Sequence, residues 1–445
     1  FQSFKGIKVN YAKKRRPIMN IKFKRLISVL FILVLISSLI SGCSSSQDSG
    51  EGDKQSTKGT DTIKVGIVLP LSGPLSAIGE NLKMAHNFAV KEINESGGIK
   101  SLGGAKLELI YGDSQGDPKI AATETERLIM QKGVVAMMDA FQSSCTYTGS
   151  EVAERYETPY LCPSSSMDEI TERGFKYTFR LIRPASLWAQ EQIRFLSEMS
   201  SGDNKVKRIA LVYENTDQGQ STAKGWKKFA SEAGFEVVLD EAYSRETADF
   251  MPLITKIKNL KPDAILMVSY ISDAIQLQKL FKENELNALA YVGSSSGHSD
   301  PSFVREVGDL AEYLFDLTEW ASDLSHTPLV QEKNEAYKKS NSDHREFNGA
   351  AAYRYAGTYV LADAIERAGS TDRKAIREAL ANTHITEGPA TILPYSPIEF
   401  DEKGQAKDTV MVMVQYLNGK RTTIWPESVA SEKPVFPMPK WSERK

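Results

Sequence analysis

Two serine clusters in this sequence follow predicted strands, where side chains and helix starts can hold a bound anion. Residues Gln142–Ser144 come after an apolar run at Val134–Met138, and Pro163–Ser166 come after a second run at Pro159–Leu161. Serine hydroxyls and the backbone N–H groups at a helix start can bind a carboxylate without an arginine. The same serines also suit a purely structural role as helix N-caps. Two clusters at neighbouring strand ends favour a carboxylate-binding site.

One motif is compatible with covalent chemistry. Residues Gly293–Gly297 read Gly-Ser-Ser-Ser-Gly, which fits the G-x-S-x-G elbow that presents a nucleophilic serine after a strand. A hydrolase that uses Ser295 also needs a histidine and an acid brought near it by the fold. None of the five histidines has a recognisable setting, and Gly-Ser runs are ordinary loop residues. A serine hydrolase is therefore kept as the alternative to a binding protein.

Other chemical signatures are missing from the sequence. It contains no GxGxxG, P-loop, HExxH or CxxC motif, so dinucleotide, triphosphate and zinc sites are not expected. The segment Asp113–Asp117 has the start of a calcium-loop spacing without the remainder of the loop. Asp117 before Pro118 instead predicts a helix N-cap. We expect no metal and no cofactor.

The elements that must position these residues alternate between strand and helix. Apolar runs predict strands at Lys64–Leu69, Leu107–Tyr111, Val134–Met138, Ile209–Tyr213, Glu236–Leu239, Ala264–Val268 and Leu289–Val292. Continuous runs of this kind are typical of parallel strands covered on both faces. Helices such as Gly79–Asn94 and Gln220–Ala233 lie between them and end at glycines. The pattern predicts an α/β fold, and its recurrence in 62–180 and 206–316 predicts two similar lobes in tandem.

Composition and charge narrow the class of protein. The 445 residues are 41% hydrophobic and 25% charged, which is ordinary for about two globular domains. The first 42 residues hold nine Lys or Arg and no acid. The rest therefore carry 46 basic and 57 acidic residues, a net charge of −11. Such an acidic body argues against nucleic acid as a partner, and three cysteines are too few for a disulfide scaffold.

The N-terminal segment has the features of a bacterial lipoprotein signal. Basic residues precede an apolar run of 15 residues, Leu26–Ile40, which suits a signal-peptide core and is short for a membrane span. Small residues then lead into Cys43, as in a lipobox, where the cysteine is lipidated. The alternative is an uncleaved anchor with an incidental cysteine. We expect 1–42 to be the signal region, with the true start at Met19, and 43–61 to be a flexible polar tether.

Several segments together resemble type I periplasmic binding proteins of the leucine/isoleucine/valine-binding family. The likeness runs from about Ile63 to Tyr416 and is carried by IKVGIVLPLSGPLSAIGE, YGDSQGDPKIAATETERLI, PYLCPSSSMDEITERGFKYTFR and RIALVYENTDQGQ. It implies two doubly wound, Rossmann-like α/β lobes joined by a three-crossing hinge, with crossings near Arg183, Asp316 and Asp408. The implied boundaries are 62–183 and 317–408 for lobe 1, and 184–316 and 409–445 for lobe 2.

The same resemblance implies a function. The protein would be the solute-binding component of an ABC importer, not an enzyme. It would close on a small amino acid, branched-chain or similarly apolar such as leucine, and deliver it to the permease. An aromatic or organic acid, or an amide, is the alternative ligand. The expected state is a monomer held by its lipid anchor on the extracellular face of the cell membrane, or on the periplasmic side where there are two membranes.

The family's binding site can be carried over residue by residue. Ser143 would contact the ligand's carboxylate and ammonium groups, and the loop at 164–166 would bind the α-amino-acid head. Side chains at Ile78 and Phe141 would border the side-chain pocket, and two residues of lobe 2 would close over it. The implied ligand-binding residues are Ile78, Phe141, Ser143, Ser164, Ser165, Ser166, Gln218, Tyr270 and Ser295.

Two departures from the family pattern matter. The acid that pairs with the ligand's ammonium should fall near Ser295, and a serine cannot neutralise a buried cation. Either another acid, such as Asp217, pairs with the ammonium, or the ligand lacks one.

The family's disulfide positions hold no cysteine pair here. Cys145 and Cys162 are instead expected on adjacent loops, where they either bridge each other or stay free, as geometry decides.

Overall fold

The computed structural model describes residues 62–444, with the exceptions of Ser201, Asp203, Ser295, Ser296 and Ser428. The expected signal region with Met19, the lipidation site Cys43 and the tether 43–61 lie outside the described residues, as does Ser295. Within the described part of the chain, none of the helices combines the length and the apolar composition that a membrane crossing requires.

The first sheet contains five parallel strands. In chain order they are β1 (Ile63–Leu69), β2 (Leu107–Asp113), β3 (Ala136–Asp139), β4 (Tyr160–Cys162) and β5 (Thr178–Arg180). Their spatial order is β2-β1-β3-β4-β5, so β1 is an inner strand. Its consecutive side chains Ile67 and Val68, which point to opposite faces, are both buried, as in a strand that is covered on both faces. The predicted α/β fold is confirmed.

The second sheet has seven strands in the order β12-β11-β10-β9-β8-β6-β7. They are β6 (Arg208–Glu214), β7 (Glu236–Tyr243), β8 (Ala264–Val268), β9 (Ala290–Ser294), β10 (Phe315–Thr318), β11 (Val412–Leu417) and β12 (Lys420–Trp425). The strands β6 to β10 run parallel, and β11 is antiparallel to both of its neighbours. The turn between β11 and β12 is Asn418-Gly419, with φ of 54° and 72°, the left-handed conformation that a tight hairpin needs.

Helices connect the strands. They are α1 (Ser76–Glu95), α2 (Pro118–Gln131), α3 (Ser143–Arg155), α4 (Ala185–Met199), α5 (Asp217–Ala233), α6 (Met251–Leu260), α7 (Ile271–Glu283), α8 (Pro301–Val307), α9 (Leu329–Ser340), α10 (Gly349–Ala368) and α11 (Arg373–Ala381). The predicted N-cap is confirmed, since the Asp117 carboxylate accepts the backbone N–H groups of Lys119 at 2.7 Å and Ile120 at 3.0 Å. The predicted stop of α5 at Gly234 is confirmed by its φ of 77°.

The strand β7 is longer than the sequence analysis predicts, and its end matters for the site. The predicted strand stops at Leu239, whereas β7 continues to Tyr243, which pairs with Glu214. Because β7 is an edge strand, it carries charged residues that an apolar-run criterion excludes. Asp240 and Glu241 form ion pairs with lysines of α5 and α6, both at 2.8 Å. The longer strand moves its carboxyl end, and the residues after it, to the same edge as Glu214.

After β10 the chain returns to the first sheet. Helix α10 packs on α1, and Arg373 donates to the backbone oxygen of Val134 at 2.8 Å. The C-terminal residues contact the second sheet, where the Val435 N–H donates to the Gln415 side chain at 2.8 Å. The lobe boundaries given above remain predictions.

Candidate functional site

The loop after β3 has an unusual backbone. Asp139, Ala140 and Phe141 have φ values of 74°, 105° and 25°, in the region that side chains other than glycine rarely adopt. The Asp139 carboxylate accepts the backbone N–H of Phe141 at 3.0 Å. This loop leads directly into α3, whose first residue is the predicted site residue Ser143. Strained backbone of this kind persists only where surrounding contacts fix it.

Arg354 of α10 supplies those contacts. Its Nε and Nη2 donate to the two carboxylate oxygens of Asp139, both at 2.5 Å, and both side chains are almost completely buried. Its Nη1 donates to the Ser164 hydroxyl at 2.7 Å. The guanidinium carbon lies 5.6 Å from the centre of the Phe141 ring. One buried arginine therefore joins the loops that follow β3 and β4.

His86 completes this buried cluster. Its Nε2 lies 3.1 Å from Asp139 Oδ2, and its Nδ1 lies 2.9 Å from the Thr358 hydroxyl. Burial lowers the pKa of His86, which keeps the imidazole neutral near pH 7. Burial alone would raise the pKa of Asp139, but the charge of Arg354 and the hydrogen bond from His86 hold it at about 2. Asp139 is therefore an ionised carboxylate inside the protein, paired with Arg354.

The serines after β4 hold the two loops together. The Ser165 hydroxyl lies 2.6 Å from the Thr146 hydroxyl and donates to the backbone oxygen of Phe141 at 3.0 Å. The backbone oxygen of Ser166 accepts the N–H of Ala185 at 2.6 Å. Both serines are buried. Their contacts indicate that they fix the shape of the site.

A cavity of about 240 Å³ lies where helices α3 and α5 begin. Its lining residues come from the carboxyl ends of strands of both sheets, the usual place for a ligand in an open α/β sheet. They are Gln142, Ser143, Ser144, Asn215, Thr216, Asp217, Gln218, Gln220, Arg245 and Tyr270. Across the cleft, the Phe141 and Tyr270 rings approach to 6.1 Å between their centres. The two sheets therefore contribute jointly to one small polar cavity.

The charged groups of this cavity lie on the side of the second sheet. The Arg245 Nε donates to Glu214 Oε1 at 2.8 Å, and the Glu214 carboxylate is only 2% exposed. The Arg245 guanidinium also lies 5.3 Å from the centre of the Tyr270 ring. Asp217, the first residue of α5, faces the cavity. Partial burial and the negative charge of Glu169 raise the pKa of Asp217.

Tyr270 is positioned by a further hydrogen-bond network. Its backbone N–H donates to the Asp273 carboxylate at 3.2 Å. The Tyr243 hydroxyl, at the end of β7, also donates to Asp273 and lies 2.9 Å from the Ser269 hydroxyl. These contacts fix the start of α7 beside the cavity.

The structure brings some of the sequence-predicted residues together and separates others. Ser143, Gln218 and Tyr270 line the cavity. Ser164, Ser165, Ser166 and Phe141 form the loops behind it, and Ile78 packs half-buried against the core. Sequence reasoning missed the Asp139–Arg354 pair and Arg245. Arg245 follows the end of β7 by two positions, so a correct prediction of that strand end would have indicated it.

The possible bridge between Cys145 and Cys162 is not formed. Both thiols are free and buried. Cys145 points to the Gln142 side chain at 4.0 Å, and Cys162 to the Ser165 backbone oxygen at 3.6 Å. Burial raises the pKa of both thiols, that of Cys145 to about 12, so they behave as small apolar core residues.

Across the described part of the chain, no group of three or more His, Cys, Asp or Glu side chains is arranged to hold a metal ion.

Comparison with known proteins agrees with this architecture. A family model described as periplasmic binding protein matches residues 62–421. The chain is 32% identical over 383 residues to the Leu/Ile/Val-binding protein homolog 7 of Brucella abortus, covering 84% of this chain and 94% of that protein. It is 31% identical over 382 residues to homolog 8 from the same organism, covering 84% of this chain and 93% of that protein.

Solved structures share the fold. The branched-chain amino acid substrate-binding protein LivJ of Streptococcus pneumoniae, in complex with isoleucine, matches with a TM-score of 0.72 and 24% identity, covering 82% of this chain and all of that one. A solute-binding protein from R. palustris in complex with benzoate matches with a TM-score of 0.72 and 17% identity, covering 84% of this chain and 98% of that one. These relatives and neighbours are binding proteins of transporters and not enzymes, which removes the hydrolase alternative at Ser295. The chain belongs to the type I periplasmic binding proteins of the branched-chain amino-acid family.

Proposed function

We propose that this protein captures a small amino acid in the cavity between its two sheets and delivers it to the permease of an ABC importer. The observation that carries the proposal is the composition of the cavity. It places Ser143 and the start of α3 on one side, and Asp217 at the start of α5 on the other. An amino acid carries a carboxylate and an ammonium, and these two sides complement the two groups.

The carboxylate is expected at the start of α3. There the Ser143 hydroxyl and the free backbone N–H groups of the first helical turn can donate to it, with the helix dipole favouring negative charge. Ser143 is held in place because its oxygen accepts the backbone N–H of Met167 at 3.3 Å. The ammonium is expected at Asp217, which takes the role that Ser295 cannot fill. An ammonium beside Asp217 also offsets the burial that raises the carboxylate's pKa.

Capture is expected to involve closure of the lobes around the ligand. The carboxylate docks on the first lobe, and the second lobe then brings Gln218 and Tyr270 over it and excludes water. The buried Asp139–Arg354 pair keeps the loop at 139–142, called the docking loop, in one conformation, so less ordering is needed when the ligand binds.

A binding screen on the purified protein tests the proposal. Ligand at 100 times its Kd should stabilise the native state by about 2.7 kcal/mol, a rise in Tm of several degrees. An increase in Tm with L-amino acids, and none with the matching acids that lack the amine, supports the proposal. An increase in Tm only with benzoate and related acids would favour the second candidate, an aromatic-acid carrier. That candidate is supported by the lack of an acid at Ser295 and by the benzoate-bound neighbour.

The location of the protein follows from its family, whose members work outside the cell membrane or in the periplasm. We further propose that Cys43 carries the lipid anchor and that the protein works as a monomer. Replacement of Cys43 by alanine should move the protein from the membrane fraction to the soluble fraction. A protein that stays with the membrane after this change would contradict the anchor.

A further inference from the structure

The cavity is polar throughout its described lining. Nine of the ten residues that form it have polar or charged side chains, and Tyr270 is the aromatic exception. No aliphatic side chain of the described residues lines it. A leucine or isoleucine side chain gains its binding energy from apolar surface, which this lining does not offer. The branched-chain side chain expected from the family therefore does not match the cavity.

Arg245 is the group that the proposed binding mode leaves unused. Its Nε is held by Glu214 at 2.8 Å, and its guanidinium lies over the Tyr270 ring. Its Nη1 and Nη2 donate no hydrogen bond to any residue in the described part of the chain. A guanidinium that is anchored at Nε keeps its outer N–H groups in a fixed fork, which suits a carboxylate or a carbonyl oxygen.

We propose that Arg245 binds the side-chain terminus of the ligand, and that the ligand is an amino acid whose side chain ends in a carboxylate or an amide. This inference rests on the proposed function, since it needs the α-carboxylate at Ser143 and the ammonium at Asp217. The cavity volume of about 240 Å³ is below the roughly 300–1,000 Å³ of most ligand sites, which limits the ligand to a small molecule.

The same geometry explains why an apolar amino acid should bind weakly. When the lobes close, water leaves the cavity, and leucine would leave the Arg245 donors without an acceptor. A site built to hydrogen-bond a ligand group discriminates strongly against an analogue that lacks the group. Glu214 does not satisfy all the donors of the Arg245 guanidinium, because its carboxylate accepts only from Nε among the described contacts.

Titration calorimetry with L-glutamate, L-glutamine and L-leucine tests the proposal. We expect glutamate or glutamine to bind at least tenfold more tightly than leucine. Arg245→Met should lower the affinity for the tighter-binding of these two ligands at least tenfold and change the affinity for leucine less than threefold. The matched control is Arg208→Met, an arginine of similar exposure (38% against 36%) at the opposite end of β6.

A second variant guards against misfolding, because Arg245→Met leaves Glu214 buried without its cation. The double variant Glu214→Gln/Arg245→Met removes both charges and should show the same loss for the polar ligand. Leucine binding as tightly as glutamate and glutamine, or an equal loss for all three ligands, would overturn the role of Arg245 and leave the proposed function standing. If no amino acid binds, the proposed function fails and the inference falls with it.

Discussion

Replacement of Arg354 by methionine should both destabilise the protein and loosen the docking loop. Methionine keeps most of the apolar stem but removes both donors to Asp139 and the donor to Ser164. Asp139 is 1% exposed, so its carboxylate would remain buried without a cation. Breaking a buried ion pair in this way costs about 3–5 kcal/mol.

The pKa of Asp139 gives a second measure of the same interaction. A value of about 2 in the folded protein, against 3.8 for the unperturbed group, corresponds to about 2 kcal/mol of stability near neutral pH. Because the folded-state pKa is the lower of the two, this stabilisation is fully present above pH 4 and is lost as the pH falls towards 2. The difference in stability between the wild type and Arg354→Met should therefore narrow over that pH range.

Urea unfolding measured between pH 2 and pH 7 would check both statements. Arg305→Met is the control, since Arg305 is exposed and donates to the hydroxyl of its neighbour Ser302 at 2.9 Å; a change within about 0.5 kcal/mol is expected there. In a double-mutant cycle, Asp139→Asn and Arg354→Met should together cost at least about 1 kcal/mol less than the sum of the single changes. An Arg354→Met variant as stable as the control, or single changes that simply add, would refute the assignment of the pair.

Four further outcomes are expected. Ser143→Ala should weaken amino-acid binding at least tenfold in calorimetry, and an unchanged affinity would remove this residue from the carboxylate site. In the same assay, Asp217→Asn should lower the affinity for amino acids more than the affinity for acids that lack the amine. In the wild type, amino-acid affinity should decline as acidification protonates Asp217, whose pKa is raised; a pH-independent affinity would exclude this pairing. Cys145 and Cys162 should react with a thiol reagent only after unfolding, as mass spectrometry would show, whereas rapid labelling of the native protein would contradict their burial.

The features that the sequence predicts well are local ones. The inner strands are continuous apolar runs, the Asp117-Pro118 start of α2 is an N-cap signal, and Asn418-Gly419 is a hairpin signal. Each of these is decided by residues within a few positions of each other, and each agrees with the structure. The sequence also predicts that the serine loops follow β3 and β4 at the sheet edge, and the structure confirms this position.

The features that the sequence does not predict depend on distant residues. Asp139 and Arg354 are 215 positions apart, and no spacing rule connects them. In the sequence, neither residue differs from an ordinary charged residue. Only the return of α10 to the first sheet brings the two together. The sequence also does not predict that the two thiols stay apart, because the direction of each side chain depends on its contacts with Gln142 and Ser165.

The two sides of the cavity are built for different tasks. On the first sheet, the docking loop is fixed by a buried ion pair and by serine hydroxyls, so the donors that we propose for the ligand's carboxylate are held in one geometry. On the second sheet, the groups that we propose to recognise the ligand are Asp217 and Arg245, which lie partly exposed after strand ends. Substitutions there, with Glu214 replaced together with Arg245, are expected to change which ligand side chain the site accepts without disturbing the core. In this protein, selectivity for the ligand side chain is therefore expected to reside on the second sheet, and the capacity to bind a carboxylate on the first.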